Sequence, residues 1–132
     1  MDGVSWGNAA NLAANEGKRF WFIGHMIDSD ANRHSKDVEV KWGNHKKGEF
    51  NIFNSKDEAD KATSVSILIR GRLRISFLSG TETQDVLLQN EGDFVLWKRG
   101  VRHNSMFEED TTVVTIRWPS MTPPSQRTAT ST

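Results

Sequence analysis

The chain has no cysteine and no tyrosine, holds all three of its prolines in the last fourteen residues, carries no net charge and contains no long apolar run. Each absence removes a class of function. Without thiols there can be no disulfide framework, thiolate zinc site, iron–sulfur cluster or cysteine nucleophile, so any nucleophile must be oxygen or nitrogen. Seventeen Lys and Arg balanced by seventeen Asp and Glu leave no basic footprint for tracking phosphate backbones, and nucleic acid is not an expected partner. No segment approaches the roughly 18 apolar residues of a membrane span. The opening MDGVSWGNAANLAANEG lacks the basic and apolar regions of a secretory signal. The expectation is a soluble, cytoplasmic protein with no membrane partner.

What is present reads as β structure. At 132 residues and 36% hydrophobic side chains the chain suits one domain with one core. From Arg19 onward, apolar and polar residues alternate in nine short runs: RFWFIGHMI, KDVEVKWG, EFNIF, TSVSILIRG, RLRISFLS, QDVLLQ, GDFVLW, RHNSMFEE and TTVVTIRW. Leu73, Ile75 and Phe77 oppose Arg72, Arg74 and Ser76. Val114, Ile116 and Trp118 oppose Val113, Thr115 and Arg117, and each such strand is expected to have one wet face. Residues 8–16 are the only helical candidate, alanine-rich and ended by Gly17. The expected organisation is an N-terminal segment with a short helix over 1–17, an all-β domain over 18–118, and a disordered tail over 119–132. Composition alone leaves sandwich, barrel and double-sheet jelly roll open.

One segment chooses among them. Gly92 to His103 reads GDFVLWKRGVRH and resembles the second motif of the cupin family, with Gly92, Asp93, Gly100 and His103 at the family's positions and Lys98 where proline is usual. Upstream, WGNHKKGEF resembles the first cupin motif. His45 and Glu49 fit its second histidine and its glutamate, while Gly43 stands in place of the first histidine. Between them SILIRGRLRISF resembles the family's middle hairpin. The resemblance spans about residues 38–118 and implies a cupin-type double-stranded β-helix, a jelly-roll barrel.

The resemblance also implies a site in which His45, Glu49 and His103 hold a divalent metal (Fe, Mn, Ni or Zn). This would be a two-histidine, one-carboxylate set with open positions for substrate or water. Trp42, Trp97, His25 and Gly43 are candidate pocket-lining positions. An indole could stack on a ligand, and His25 shares strand parity with Trp21 and Ile23 and could replace the missing ligand. His34 sits in a polar loop run. Arg70, Arg72 and Arg74 read as a charged outer face, from which one inward arginine could grip a carboxylate. No catalytic residue can be named, and neither a G-x-S-x-G elbow nor an S-x-x-K pair supports a hydrolase. Three roles stay open: a metal-dependent isomerase, lyase or dioxygenase acting on a small polar metabolite; a non-catalytic small-molecule binder with a degenerate metal site; and an interaction protein resting on the fold alone. A homodimer is expected, covering the apolar run from Phe20 to Ile23.

Overall fold

The structure, a computed structural model, describes residues 1–53 and 61–121. Helix α1, Ala9–Asn15, forms in the alanine-rich window. Asn8 stands extended at its N-cap and accepts the Asn11 N–H at 3.0 Å, and Gly17, at φ 67, takes the left-handed conformation just past its end. Each alternating run then yields a strand: β1 Trp21–Ile23, β2 Glu39–His45, β3 Phe50–Phe53, β4 Thr63–Arg70, β5 Leu73–Ser79, β6 Glu82–Leu88, β7 Phe94–Trp97, β8 Arg102–Phe107 and β9 Thr111–Trp118. They form two antiparallel sheets, β1-β2-β9-β4-β7 and β3-β8-β5-β6. Most neighbours in each sheet are distant in sequence, and the fold is the expected jelly roll. Gly71, at φ 105, joins β4 to β5. A Cβ there would lie 2.5 Å from the Asp110 carbonyl oxygen and from Thr111 Oγ1, so only glycine fits.

Register stacks the five-stranded sheet in rungs. Glu39, Arg117 and Ser64 share one rung, Lys41, Thr115 and Ser66 the next, Gly43, Val113 and Leu68 the third, with His45 and Thr111 at the end. This is the interior face, since Glu39, Ser64, Ser66, Thr115 and Arg117 are all buried. The outer face carries Val40, Ile116, Val65 and Leu96 on one rung and Trp42, Val114, Ile67 and Phe94 on another. The period-2 alternation is therefore as expected, but its polarity on β9 is inverted: Thr115 and Arg117, on the face alternation would turn to water, point inward.

Interior partners explain the inversion. The Arg117 guanidinium lies 3.6 Å from the Glu39 carboxylate, and the Thr115 and Ser66 hydroxyls meet at 2.8 Å. Buried polar groups that find one another lose little by leaving water. The apolar core belongs mostly to the other sheet, where Leu73, Ile75 and Phe77 of β5 pack with Leu88 and Phe107, joined by Leu68 and Val113 from across the barrel.

Ser120 is buried and its backbone N–H donates to the Lys36 carbonyl at 3.0 Å, so the chain remains fixed just beyond β9. The remainder of the stretch expected to be disordered, 122–132, lies outside the described residues. Within the run Phe20 to Ile23, Trp21 is buried by the chain itself. No helix among the described residues is long and apolar enough to cross a membrane.

Leu68, 0% exposed, sits where the two faces of the interior meet. Leu68→Ala should cost about 2–5 kcal/mol, read as a lower urea midpoint at unchanged slope. Glu82→Ala, on the exposed start of β6, should leave the midpoint unchanged.

Candidate functional site

The first motif segment ends β2 and turns through Gly48 to Glu49. His45 Nδ1 donates to the Glu49 carboxylate at 2.9 Å, and the Lys46 N–H donates to its other oxygen at 3.0 Å. That bond leaves the lone pair on Nε2. The imidazole stacks on Phe107 with centroids 4.0 Å apart, and Phe20 meets its edge at 5.6 Å. Phe20 is delivered there by a sparsely populated conformation, since Arg19 and Phe20 both have positive φ, 58 and 74. Burial holds the His45 pKa below its ordinary value, outweighing the upward pull of Glu49.

The ring also lies back over Gly43. A Cβ at position 43 would stand 2.7 Å from His45 Nε2, closer than van der Waals contact permits. The space that a first motif histidine would need is thus filled by the second one. Any side chain at 43 and this orientation of His45 exclude each other.

His103 lies elsewhere. It starts β8 beside Phe77 of β5, and its ring packs against Trp97 at 4.8 Å and Phe77 at 6.0 Å. It is four residues from Phe107, about 13 Å of strand at 3.3 Å per residue. Burial, reinforced by the cations Arg117 and Lys41, presses its pKa down to about 3. The same positive field opposes a metal ion at this imidazole. Among the described residues no three His, Asp or Glu side chains form a group able to hold a metal. Of the expected set, His45 and Glu49 meet, while His103 packs against Trp97 and Phe77. As placed, these residues do not fit a divalent ion.

The other candidates divide similarly. Trp97 faces inward against His103 and Phe77, while Trp42 lies on the outer rung with Val114, on the opposite side of the sheet from Gly43 and His45. His25 does not replace the missing ligand. Its backbone N–H donates to Ser120 Oγ at 2.9 Å and its Nδ1 lies 2.6 Å from the same oxygen, whose proton goes to Glu39 at 2.9 Å. This clasp sits at the Glu39 end, three rungs from His45. His34 is in a loop, bonded through Nδ1 to the Ile27 carbonyl. Arg72 and Arg74 pair with Glu108 at 2.9 and 2.8 Å, as a charged outer face should.

Arg70 is different. With His45, Asn44 and Lys46 it lines an open cleft of about 420 Å³ at the end of β2 and β9, closed on the other side by Asp110, Thr111 and Thr112. Asn44 accepts the Thr112 hydroxyl at 2.6 Å, and Asp110 accepts the Lys47 N–H at 2.9 Å. Sequence reasoning missed Thr111, Thr112 and Asp110. It also missed the interior Lys41, although Lys41 shares the parity of Gly43 and His45, and that signal was readable.

No protein-family model and no curated protein matches the chain. Solved structures do. Oxalate decarboxylase from Lactobacillus farciminis, in a formate complex, superposes with a TM-score of 0.56 at 15% identity, over 67% of this chain and 25% of that one. A mutant of the Bacillus subtilis oxalate decarboxylase gives 0.56 at 15%, over 67% and 23%. The chain has the cupin fold. KdgF from Halomonas sp. gives 0.51 at 14%, over 65% of this chain and 72% of that one. The chain spans about a quarter of the length of each oxalate decarboxylase.

Two outcomes follow from the geometry. Gly43→Ala should destabilise by about 1–3 kcal/mol, because the His45 ring must leave its bond to Glu49 or the strand must shift; chemical denaturation measures it. His103 has a depressed folded pKa, about 3 against 6.5, so the unfolded chain takes the proton first. Its contribution is complete above pH 6.5 and is lost as pH falls toward 3, at about 1.4 kcal/mol per pH unit. His103→Leu should flatten that part of the stability profile relative to the wild type.

Proposed function

We propose that this cupin binds a small polar molecule bearing a carboxylate or similar anionic group in the cleft at the His45 end of the barrel, with the metal positions of the motifs given over to packing. The observation that carries the reading is the cleft itself, about 420 Å³, with Arg70 and Lys46 beside the hydroxyls of Thr111 and Thr112. Small-molecule sites occupy roughly 300–1,000 Å³ and hold a few convergent polar groups. A guanidinium matches a carboxylate bidentately, and the ammonium of Lys46 adds a second cationic donor.

A second reading, a metal-dependent isomerase, lyase or dioxygenase, is favoured by the adjacent donors His45 and Glu49. The Bacillus subtilis oxalate decarboxylase has Mn(II) centres. In this chain that reading requires the His45 ring to turn away from Gly43 and a further donor to arrive.

The proposal includes a homodimer. The outer face of the five-stranded sheet is apolar across four strands, with Phe94 65% and Leu96 45% exposed at its edge. Apolar patches of that kind on a soluble protein mark contact surfaces, and two copies of one sheet face are self-complementary about a two-fold axis. Light scattering should give twice the chain mass for the wild type and the chain mass for Phe94→Glu; a monomeric wild type would contradict the dimer.

The ligand reading is tested by thermal melting with a panel of carboxylates and sugar acids, beside elemental mass spectrometry of untagged protein. At one hundred times its dissociation constant a ligand stabilises by about 2.7 kcal/mol, several degrees in midpoint. At least one acid should do this, Arg70→Ala should abolish it, and the protein should carry far less than one equivalent of metal. One equivalent of metal that His45→Ala removes would replace this reading with the second.

A further inference from the structure

The interior contains an amine that neither the cleft nor the packing core uses. Lys41 belongs to the second rung, between Glu39 and Gly43 on β2, and pairs across to Trp21 of β1. Its Nζ lies 5.1 Å from the centroid of the Trp21 ring, and Arg117 sits 5.0 Å from the same ring. Among the described residues Lys41 Nζ has no hydrogen bond and no ion pair, and the residue as a whole is half-buried. The charged and titratable groups that bear on it are Glu39 on its own strand, Arg117 on β9, Arg19 before β1, His45 at the end of β2 and His103 on β8.

We propose that Lys41 is a carbonyl-capture site, which takes a small aldehyde or ketone, an oxo-acid by preference, as a Schiff base on Nζ. Three features point there. The amine is directed into a polar interior, with the Ser66 and Thr115 hydroxyls on its rung and the Trp21 ring beneath it. A cation over an indole has an attractive partner that does not consume its lone pair once the proton leaves. The field from Arg117 and Arg19 disfavours the ammonium and favours an anionic ligand.

Burial and those two cations bring the Lys41 pKa down to about 7, so about half the side chain is free amine at neutral pH. An ordinary lysine, at about 10.4, has roughly a thousandfold less. The chemistry balances without a cofactor. The nitrogen lone pair forms a bond to the carbonyl carbon, proton transfer gives a carbinolamine, and loss of its hydroxyl as water leaves the C=N bond. This site lies two rungs from the His45 cleft and does not rest on the ligand reading above.

The test is reductive trapping on the full chain with glyoxylate and cyanoborohydride, in which the hydride reduces the imine and leaves one carboxymethyl group on the amine. Peptide mapping by mass spectrometry at several times gives a rate for each lysine, from pH 5 to pH 9. Lys41 should react at least tenfold faster than Lys46, Lys47 and Lys98 at pH 7. Its rate should level off above pH 7, while theirs continue to rise. Lys41→Arg should remove the fast adduct, leave the slow ones, and melt as a folded protein. Should that variant fail to fold, the wild-type rate profile decides alone. A Lys41 rate no greater than that of the exposed lysines, or a profile parallel to theirs, would overturn the proposal.

Discussion

The buried Glu39 carboxylate organises the barrel. It lies at 0% exposure on the inner face of β2, with Arg117 at 3.6 Å and the Ser120 hydroxyl donating at 2.9 Å. A carboxylate in such a place is tolerated only when paired and hydrogen-bonded. Because it is, β9 can turn Arg117 and Thr115 inward, and the sheet presents valine, isoleucine, tryptophan and phenylalanine outward. Ser120 ties the same carboxylate to His25, so the chain beyond β9 closes over the end of β1.

The rest of the interior follows from that charge arrangement. Burial keeps the His103 imidazole neutral, and the positive field that Arg117 and Lys41 extend toward it reinforces this and opposes a cation there. At the other end His45 is held by Glu49, Phe107 and Phe20, and fills the space over Gly43. The two motif histidines thus do different local work. One anchors the floor of a polar cleft, and the other packs with Trp97 and Phe77. The fold is shared with an oxalate decarboxylase that has Mn(II) centres, and a shared fold does not by itself carry the chemistry with it.

Much of the fold was legible because strand alternation survives whichever face is buried. All nine runs became strands, the helix began one residue past Asn8, and Leu73, Ile75 and Phe77 became core. Alternation does not say which face is inside, and at Arg117 the polar choice proved interior because its partner, Glu39, is 78 residues away in sequence and adjacent only through register. The meeting of His45 and Glu49 was readable, since four residues around a glycine turn return the chain on itself. The separation of His103 was not, because it depends on how β8 pairs with β5. Gly43 was visible as a departure from the motif, but the ring that takes its space shows only in three dimensions.

The structure places His45 and His103 in separate environments, one stacked on Phe107 and the other packed against Trp97. The most direct measurement is the ¹H–¹⁵N spectrum of the imidazoles during addition of substoichiometric Mn(II). His45 should appear with Nδ1 protonated and Nε2 bare, His103 should stay neutral well below pH 6, and Mn(II) should not broaden the two rings in parallel. Parallel broadening of both rings by the same fraction of an equivalent would contradict that separation, and would mean that the barrel closes around a metal after all.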